Sequence, residues 1–371
     1  MERPQRFRDY FGVQLAQQLG QRIQTVYPQF LGDVFVQRVA ASVEPLELKD
    51  RVALIAAALR ETLPAEYLAA LDILCAILGP ENPQETGMFD FGYQLMPIAY
   101  FVEVYGLEHV DASLQAIHAI TRRFTGEFAI RPFLVQHPER TMEVLQTWVH
   151  DDNTHVRRLV SEGTRPRLPW AARLQMAIDN PEPMIALLEQ LKDDPSPYVR
   201  KSVANHLNDI TKDHPQRVLL LLTDWQVDAS QQRQWIIRHA LRGLIKQGHA
   251  DALRLIAADH PLVELEALSL EPLAIQLGDT LTLTATLVSR AEQAQKLVVD
   301  YCIHLVRAQG KTQPKVFKLK TLMLATGERV TLCKRHALKP VTTRRYYAGQ
   351  HRLELQVNGV VLGETAFLLE L

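Results

Sequence analysis

Three carboxylates, Glu127, Glu162 and Asp209, stand inside FTGEF, at the end of VRRLVSE and inside ANHLND, the first two within a stretch otherwise given over to arginine. Residues 120–173 hold Arg122, Arg123, Arg131, Arg140, Arg157, Arg158, Arg165, Arg167 and Arg173, with no lysine. An arginine fork suits planar, bidentate recognition of phosphate, and carboxylates oppose it, so each acid asks for a local reason. One reason is chemical: a carboxylate can stabilise a developing positive charge or position a water. The other is structural: each caps or pairs with a neighbouring Arg. Trp170 closes the segment RPRLPW, whose two prolines fix the backbone and limit where the indole can point. A Trp placed in advance can stack on an electron-poor ring, and its π-face favours positive charge; the alternative is an ordinary core Trp.

The elements that would position these residues are repeated helices. DDNTHVRRLVSE at 151–162 and DPSPYVRKSVAN at 194–205 share a loop-then-helix pattern 43 residues apart. That spacing is in the range of about 40–47 residues of HEAT-type repeats, whose helix pairs stack because none can bury its own apolar face. Arg157 with Arg158, and Arg200 with Lys201, open the second helix of each unit. A solenoid often presents residues to a ligand there, and the pairs suit an anion; they also suit solvated helix starts. Parallel stacking brings Glu127, Glu162 and Asp209 toward one concave strip.

With 371 residues the chain is long enough for two or three domains, and 47% apolar with 22% charged residues describes an ordinary folded chain. Net charge divides unevenly, −7 through residue 119 and +6 beyond it, as expected if one part meets a polyanion. Cys75, Cys302 and Cys333 form no C-x-x-C pair, which suggests free thiols in a reducing compartment and no metal. The N-terminus lacks the apolar core of a leader, and no stretch runs long enough to span a bilayer. A cytoplasmic protein with no membrane partner is expected. Phosphate-cradling G-x-x-x-x-G-K-[ST] and strand-linked G-x-G-x-x-G motifs are absent, which disfavours a nucleotide enzyme.

Near residue 265 the periodicity changes. Before it, MEVLQTWV, PMIALLEQL and RVLLLLTDW show three- and four-residue apolar spacing, with His137-Pro138, His214-Pro215 and His260-Pro261 marking turns. After it, DTLTLTATLVS, KLVVDYCIHLV, KVFKLKTLML and ERVTLCKRHAL alternate over strand lengths, and HRLELQV-NG-VVLGETAFLLEL predicts a hairpin at Asn358-Gly359. The fold expected is mainly α: a HEAT-like solenoid over 1–264, then an immunoglobulin-like sandwich over 265–371 of about seven strands, all antiparallel. Residues 311–345 hold ten basic residues against Glu328 alone, including Lys318 and Lys320 on one face of a strand, with Lys339, Arg344 and Arg345 near the next turn. A duplex clamp and a lysine-protected strand edge both fit that pattern.

RRLVSEGTRPRLPW resembles the signature of the AlkC branch of helical-repeat DNA glycosylases, relatives of AlkD that remove alkylated bases; FTGEFAIRPFL and YVRKSVANHLNDITKDHP resemble the flanking repeats. The resemblance covers roughly 120–250, and a sandwich appended to the repeats is known in part of this branch. It implies a monofunctional, cofactor-free alkylbase glycosylase of base excision repair. The expected substrate is 3-methyladenine first, then 3-methylcytosine and 1-methyladenine, in duplex DNA without full base flipping, and the enzyme is expected to act as a monomer. It matches Glu127, Glu162 and Asp209 to acidic positions of the active site and favours Trp170 beside them; on their charge and placement Arg157, Arg158, Arg165, Arg167, Arg200 and Lys201 in the repeats, and Lys318, Lys320, Arg344 and Arg345 in the sandwich, are expected to contact DNA. Arg158 is left either to hold the phosphate flanking the lesion or to pair with Glu162 four residues on. The residues agree chemically, because a cationic alkylpurine is already a good leaving group, and what remains is stabilising an oxocarbenium-like sugar and placing water. A non-catalytic helical-repeat scaffold for nucleic acid or protein is the alternative.

Overall fold

A computed structural model describes residues 6–86, 89–340 and 345–371, which hold sixteen α-helices followed by eight strands. Arg344 lies outside the described residues. The chain divides into two compact units, Met1–Asp213 and His214–Leu371.

In the first unit the 43-residue recurrence is a pair of stacked helical hairpins, Pro138–Trp148 with Thr154–Gly163, and Glu182–Leu191 with Pro197–Ile210. Each second helix begins at a side-chain cap. Asn153 accepts from the His155 amide, and Ser196 accepts from those of Tyr198 and Val199, which satisfies donors that a helix start leaves open. Apolar residues then recur at helical spacing and are buried: Val156, Leu159 and Val160 in one helix, Val199, Val203 and Leu207 in the other. Pro138 and Pro215 stand at the first turn of their helices, where the missing N–H breaks no bond. Trp148 is buried in this packing.

The second unit begins with helices Pro215–Gln226 and Gln231–Ala240 and ends in the sandwich. Its strands are β1 (Val263–Glu271), β2 (Ala274–Gln276), β3 (Thr280–Ser289), β4 (Gln295–Val306), β5 (Thr312–Leu324), β6 (Arg329–Ala337), β7 (Gly349–Val357) and β8 (Val360–Glu370). One sheet runs β1-β3-β6 and the other β2-β8-β7-β4-β5. The expectation of about seven antiparallel strands is corrected in one respect: β2 pairs with β8 in parallel. Three residues are too few to carry a period. Inward residues of both sheets, among them Leu281, Leu287, Tyr301, Ile303, Leu355 and Phe367, form the core.

The hairpin falls where Asn358-Gly359 predicts it, both residues at positive φ (44° and 76°), with Val357 facing Val360. The turn also anchors the sandwich. Asn358 accepts from the Val298 amide at 2.7 Å and donates to the Lys296 carbonyl at 3.0 Å and the Asp259 carbonyl at 2.6 Å. A Cβ on Gly359 would come within 2.5 Å of the Gly248 Cα, so this contact needs glycine. Leu253, Ile256 and Ala258 pack on Val298 beside it, which is why the last helices cluster with the strands. Among the described residues no helix is long and apolar enough to cross a membrane.

Candidate active site

The three carboxylates meet, and they do so by alternating with arginines. Glu127 is buried in the turn ahead of helix Ile130–Gln136, while Glu162 and Asp209 each stand one residue from the end of a second helix. Arg158 Nη2 lies 3.0 Å from Glu127 Oε2 and 3.8 Å from Glu162 Oε1. Arg165 Nη1 lies 2.6 Å from Glu162 Oε1, and its Nε and Nη2 reach Asp209 Oδ2 at 2.9 and 2.8 Å. Lys212 closes the row, 2.9 Å from Asp209 Oδ1. The order Glu127, Arg158, Glu162, Arg165, Asp209, Lys212 alternates sign at every step, which answers why acids persist among so many arginines.

Local packing sets this row. A Cβ on Gly163 would meet Ile130 Cγ2 at 2.6 Å, so glycine lets the end of helix Thr154–Gly163 approach the helix that follows Glu127. Arg158 beds on the Tyr198 ring, its guanidinium carbon 4.9 Å from the centroid. Ser202 Oγ lies 2.5 Å from Glu162 Oε2, and Thr125 donates to Glu127 Oε2 at 3.1 Å. His206, fully buried behind Glu162, donates from Nδ1 to the Ser161 carbonyl at 2.9 Å. Burial, followed by the Arg165 charge, pushes its imidazole down to about 4 and keeps it neutral.

The two glutamates titrate in opposite directions. Burial raises Glu127 in spite of Arg158, and the neighbouring Glu162 charge adds to the rise. Burial also works on Glu162, but Arg158, Arg165 and the Ser202 hydroxyl outweigh it and hold that carboxyl below its ordinary value. The surroundings of the pair thus push the two carboxyls apart.

Several of the arginines expected to meet phosphate have partners within the protein. Arg157 donates to the Asp151 and Asp152 carbonyls and pairs with Asp194 at 2.6 Å. Arg200 donates from Nη1 to the Asp194 and Pro195 carbonyls, the same task one repeat on. The repeated arginine closes its own inter-helix loop. Arg158 and Arg165 belong to the carboxylate row, and Arg167 grips both oxygens of Asp213. Lys201 is exposed. Lys318 and Lys320 are exposed on β5, at the edge of one sheet, and Lys334 and Arg335 on β6, at the edge of the other. Arg345 lies over the Tyr347 ring.

Trp170 is 57% exposed with a left-handed backbone (φ 67°), so it is no core residue. It borders a cleft of about 590 Å³ that also meets Thr125, Phe128, Arg131, Lys49 and Glu103. Lys49 and Glu103 sit in no sequence motif, and Ser202, inside the YVRKSVAN repeat, is not marked out there as a partner of Glu162. On the sandwich Cys302, His304 and Glu354 come together, but Arg352 Nη2 sits 2.9 Å from Glu354 and 3.3 Å from His304, a cation where a metal would be.

Comparison with known proteins identifies relatives of this chain. A family model described as DNA alkylation repair enzyme matches residues 126–244, and one described as the C-terminal Ig-like domain of the uncharacterised protein YhaZ matches 264–371. The chain is 35% identical to the uncharacterized protein YhaZ of Bacillus subtilis over 356 residues, 95% of this chain and 96% of that one. It is also similar to the solved structure of Pseudomonas fluorescens alkylpurine DNA glycosylase AlkC bound to DNA containing an abasic site analog, with TM-score 0.92 and 39% identity over 99% of this chain and 100% of that one. The chain belongs to the AlkC family of DNA alkylation repair enzymes. The AlkC-like architecture accounts for both the helical repeats and the appended sandwich.

Proposed function

We infer that this AlkC-family chain is a monofunctional DNA glycosylase that hydrolyses the N-glycosidic bond of cationic alkylated bases, 3-methyladenine first, with 3-methylcytosine and 1-methyladenine as further substrates. The observation that carries this reading is the row of carboxylates alternating with guanidinium groups from Glu127 to Asp209, together with the exposed Trp170. Alkylation at N3 or N7 makes the base a good leaving group, so the protein needs no strong general acid. Its work is to stabilise positive charge on the sugar and to place a water. A phosphate that engages Arg158 weakens its hold on Glu127 and Glu162 and frees their charge for the sugar, in a site where burial strengthens each interaction. Trp170 stacks on the cationic base or the sugar, with the base left largely in the duplex. The basic edges of the sandwich, Lys318 and Lys320 foremost, hold the backbone.

One observation favours a second reading, a non-catalytic binding scaffold: each of the three carboxylates already has a cation beside it. Mass-spectrometric detection of the bases released from methylated duplex DNA separates the two. Release of free 3-methyladenine supports the enzyme, and tight binding without release supports the scaffold.

A further inference from the structure

The acidic N-terminal third has no part in the row of carboxylates, yet it reaches the loop that carries Trp170. A bulky residue at φ 67° is strained by about 1–3 kcal/mol and persists only where its surroundings over-determine it. Five residues do so here. Lys49 donates to the Trp170 carbonyl. Arg131 donates to the carbonyls of Gly163 (2.9 Å) and Arg165 (2.8 Å) from Nη1, and to that of Ala172 (2.7 Å) from Nη2, so one guanidinium ties both ends of the loop. Pro166 and Pro169 stiffen the segment between, and the Phe89 ring meets the indole at 5.5 Å.

We propose that Lys49 and Arg131 are positioning residues that staple the loop 163–172 through its carbonyls and so hold the Trp170 indole at the mouth of the cleft, which makes the N-terminal third part of the catalytic apparatus. Glu103 borders the same cleft as both cations. Cations suit this task because carbonyl oxygens only accept, and an ammonium or guanidinium donates without competing for protons. The proposal rests on the reading that Trp170 stacks on the substrate.

Lys49 is exposed, so Lys49→Met should fold, and it is the variant to make in the full-length chain. Acrylamide quenching of Trp170, read as the difference between the chain and its Trp170→Phe variant, should rise in Lys49→Met. Single-turnover release of 3-methyladenine should fall about tenfold at saturating enzyme, with duplex affinity nearly unchanged, and Lys49→Arg should restore it. In a Trp170→Ala background Lys49→Met should cause no further loss. Unchanged quenching would overturn the staple. So would a loss of affinity with a salt slope reduced by about 0.9, which would make Lys49 a phosphate contact instead. If Trp170→Ala releases base as fast as wild type, the stacking reading fails, while the quenching arm still decides whether the staple exists.

Discussion

Arg165 grips Asp209 across 44 residues of sequence, with Nε and Nη2 both within 2.9 Å of Oδ2. Its remaining terminal nitrogen holds Glu162 at 2.6 Å. A planar fork can serve two carboxylates in this way and an ammonium cannot. Arg165→Lys should therefore lose most excision activity and destabilise the fold by about 2 kcal/mol, because one buried acid loses its guanidinium and keeps only its second cation, Lys212 for Asp209 or Arg158 for Glu162. Chemical denaturation alongside excision rates checks both halves.

Glu162→Gln and Asp209→Asn keep shape and some hydrogen bonding but remove the charge. Each should lower base release by about 100-fold or more while duplex affinity stays within a few-fold. Single-turnover rates beside binding titrations test this, with melting curves to confirm folding. Wild-type rates in both variants would remove the carboxylates from the mechanism.

Trp170→Ala should melt within a few degrees of wild type, since the indole is 57% exposed. It should slow release of a cationic base more than of a neutral one such as hypoxanthine. Trp170→Gly should be more stable than Trp170→Ala by about 1 kcal/mol, because glycine adopts the left-handed backbone without strain. Equal stability of the two would mean that the loop relaxes when the indole is gone.

Burial pushes the Glu103 carboxyl up to about 6 from an ordinary value of 4.5, against the pull of Lys49 and Arg131. A carboxyl whose folded pKa is raised contributes its stability while protonated. That contribution is fully present below pH 4.5 and is lost as pH rises through 6. Glu103→Gln should match wild-type stability near pH 4 and exceed it by about 2 kcal/mol at pH 7.5. Denaturation at the two pH values reads the difference directly, and a gap that shrinks as pH rises would reverse the sign.

Lys318 and Lys320 are exposed on the edge strand β5, where they serve equally to bind a phosphate backbone and to block pairing with another sheet. Replacing both with glutamine should weaken binding to undamaged duplex and reduce the salt slope by about 0.9 per lysine that contacts phosphate. Point changes are the cleaner test than deleting 266–371, because Val298 and the Asn358-Gly359 turn pack on the preceding helices and a cut there would expose Leu253 and Ile256. An unchanged slope leaves the lysines as edge protection.

Periodicity and turn chemistry are local, and they suffice for the helical repeats, for the change of architecture near residue 265 and for the hairpin at Asn358-Gly359. The string RRLVSEGTRPRLPW likewise carries Arg158, Glu162, Arg165 and Trp170 within one stretch of chain, so most of the candidate site is legible there. β2 escapes, being three residues long and parallel to a strand about 90 positions on. What each arginine does was decided only by the tertiary structure. Arg157 and Arg200 look like ligand-facing pairs in sequence, yet the fold brings loop carbonyls within their reach. Arg165 lies next to Glu162 in sequence but meets Asp209 only when two repeats stack. Lys49 lies 121 positions from Trp170, and no spacing rule connects them. An arginine has five donors and a reach of several ångströms, and which acceptors it finds is a property of packing, not of order along the chain.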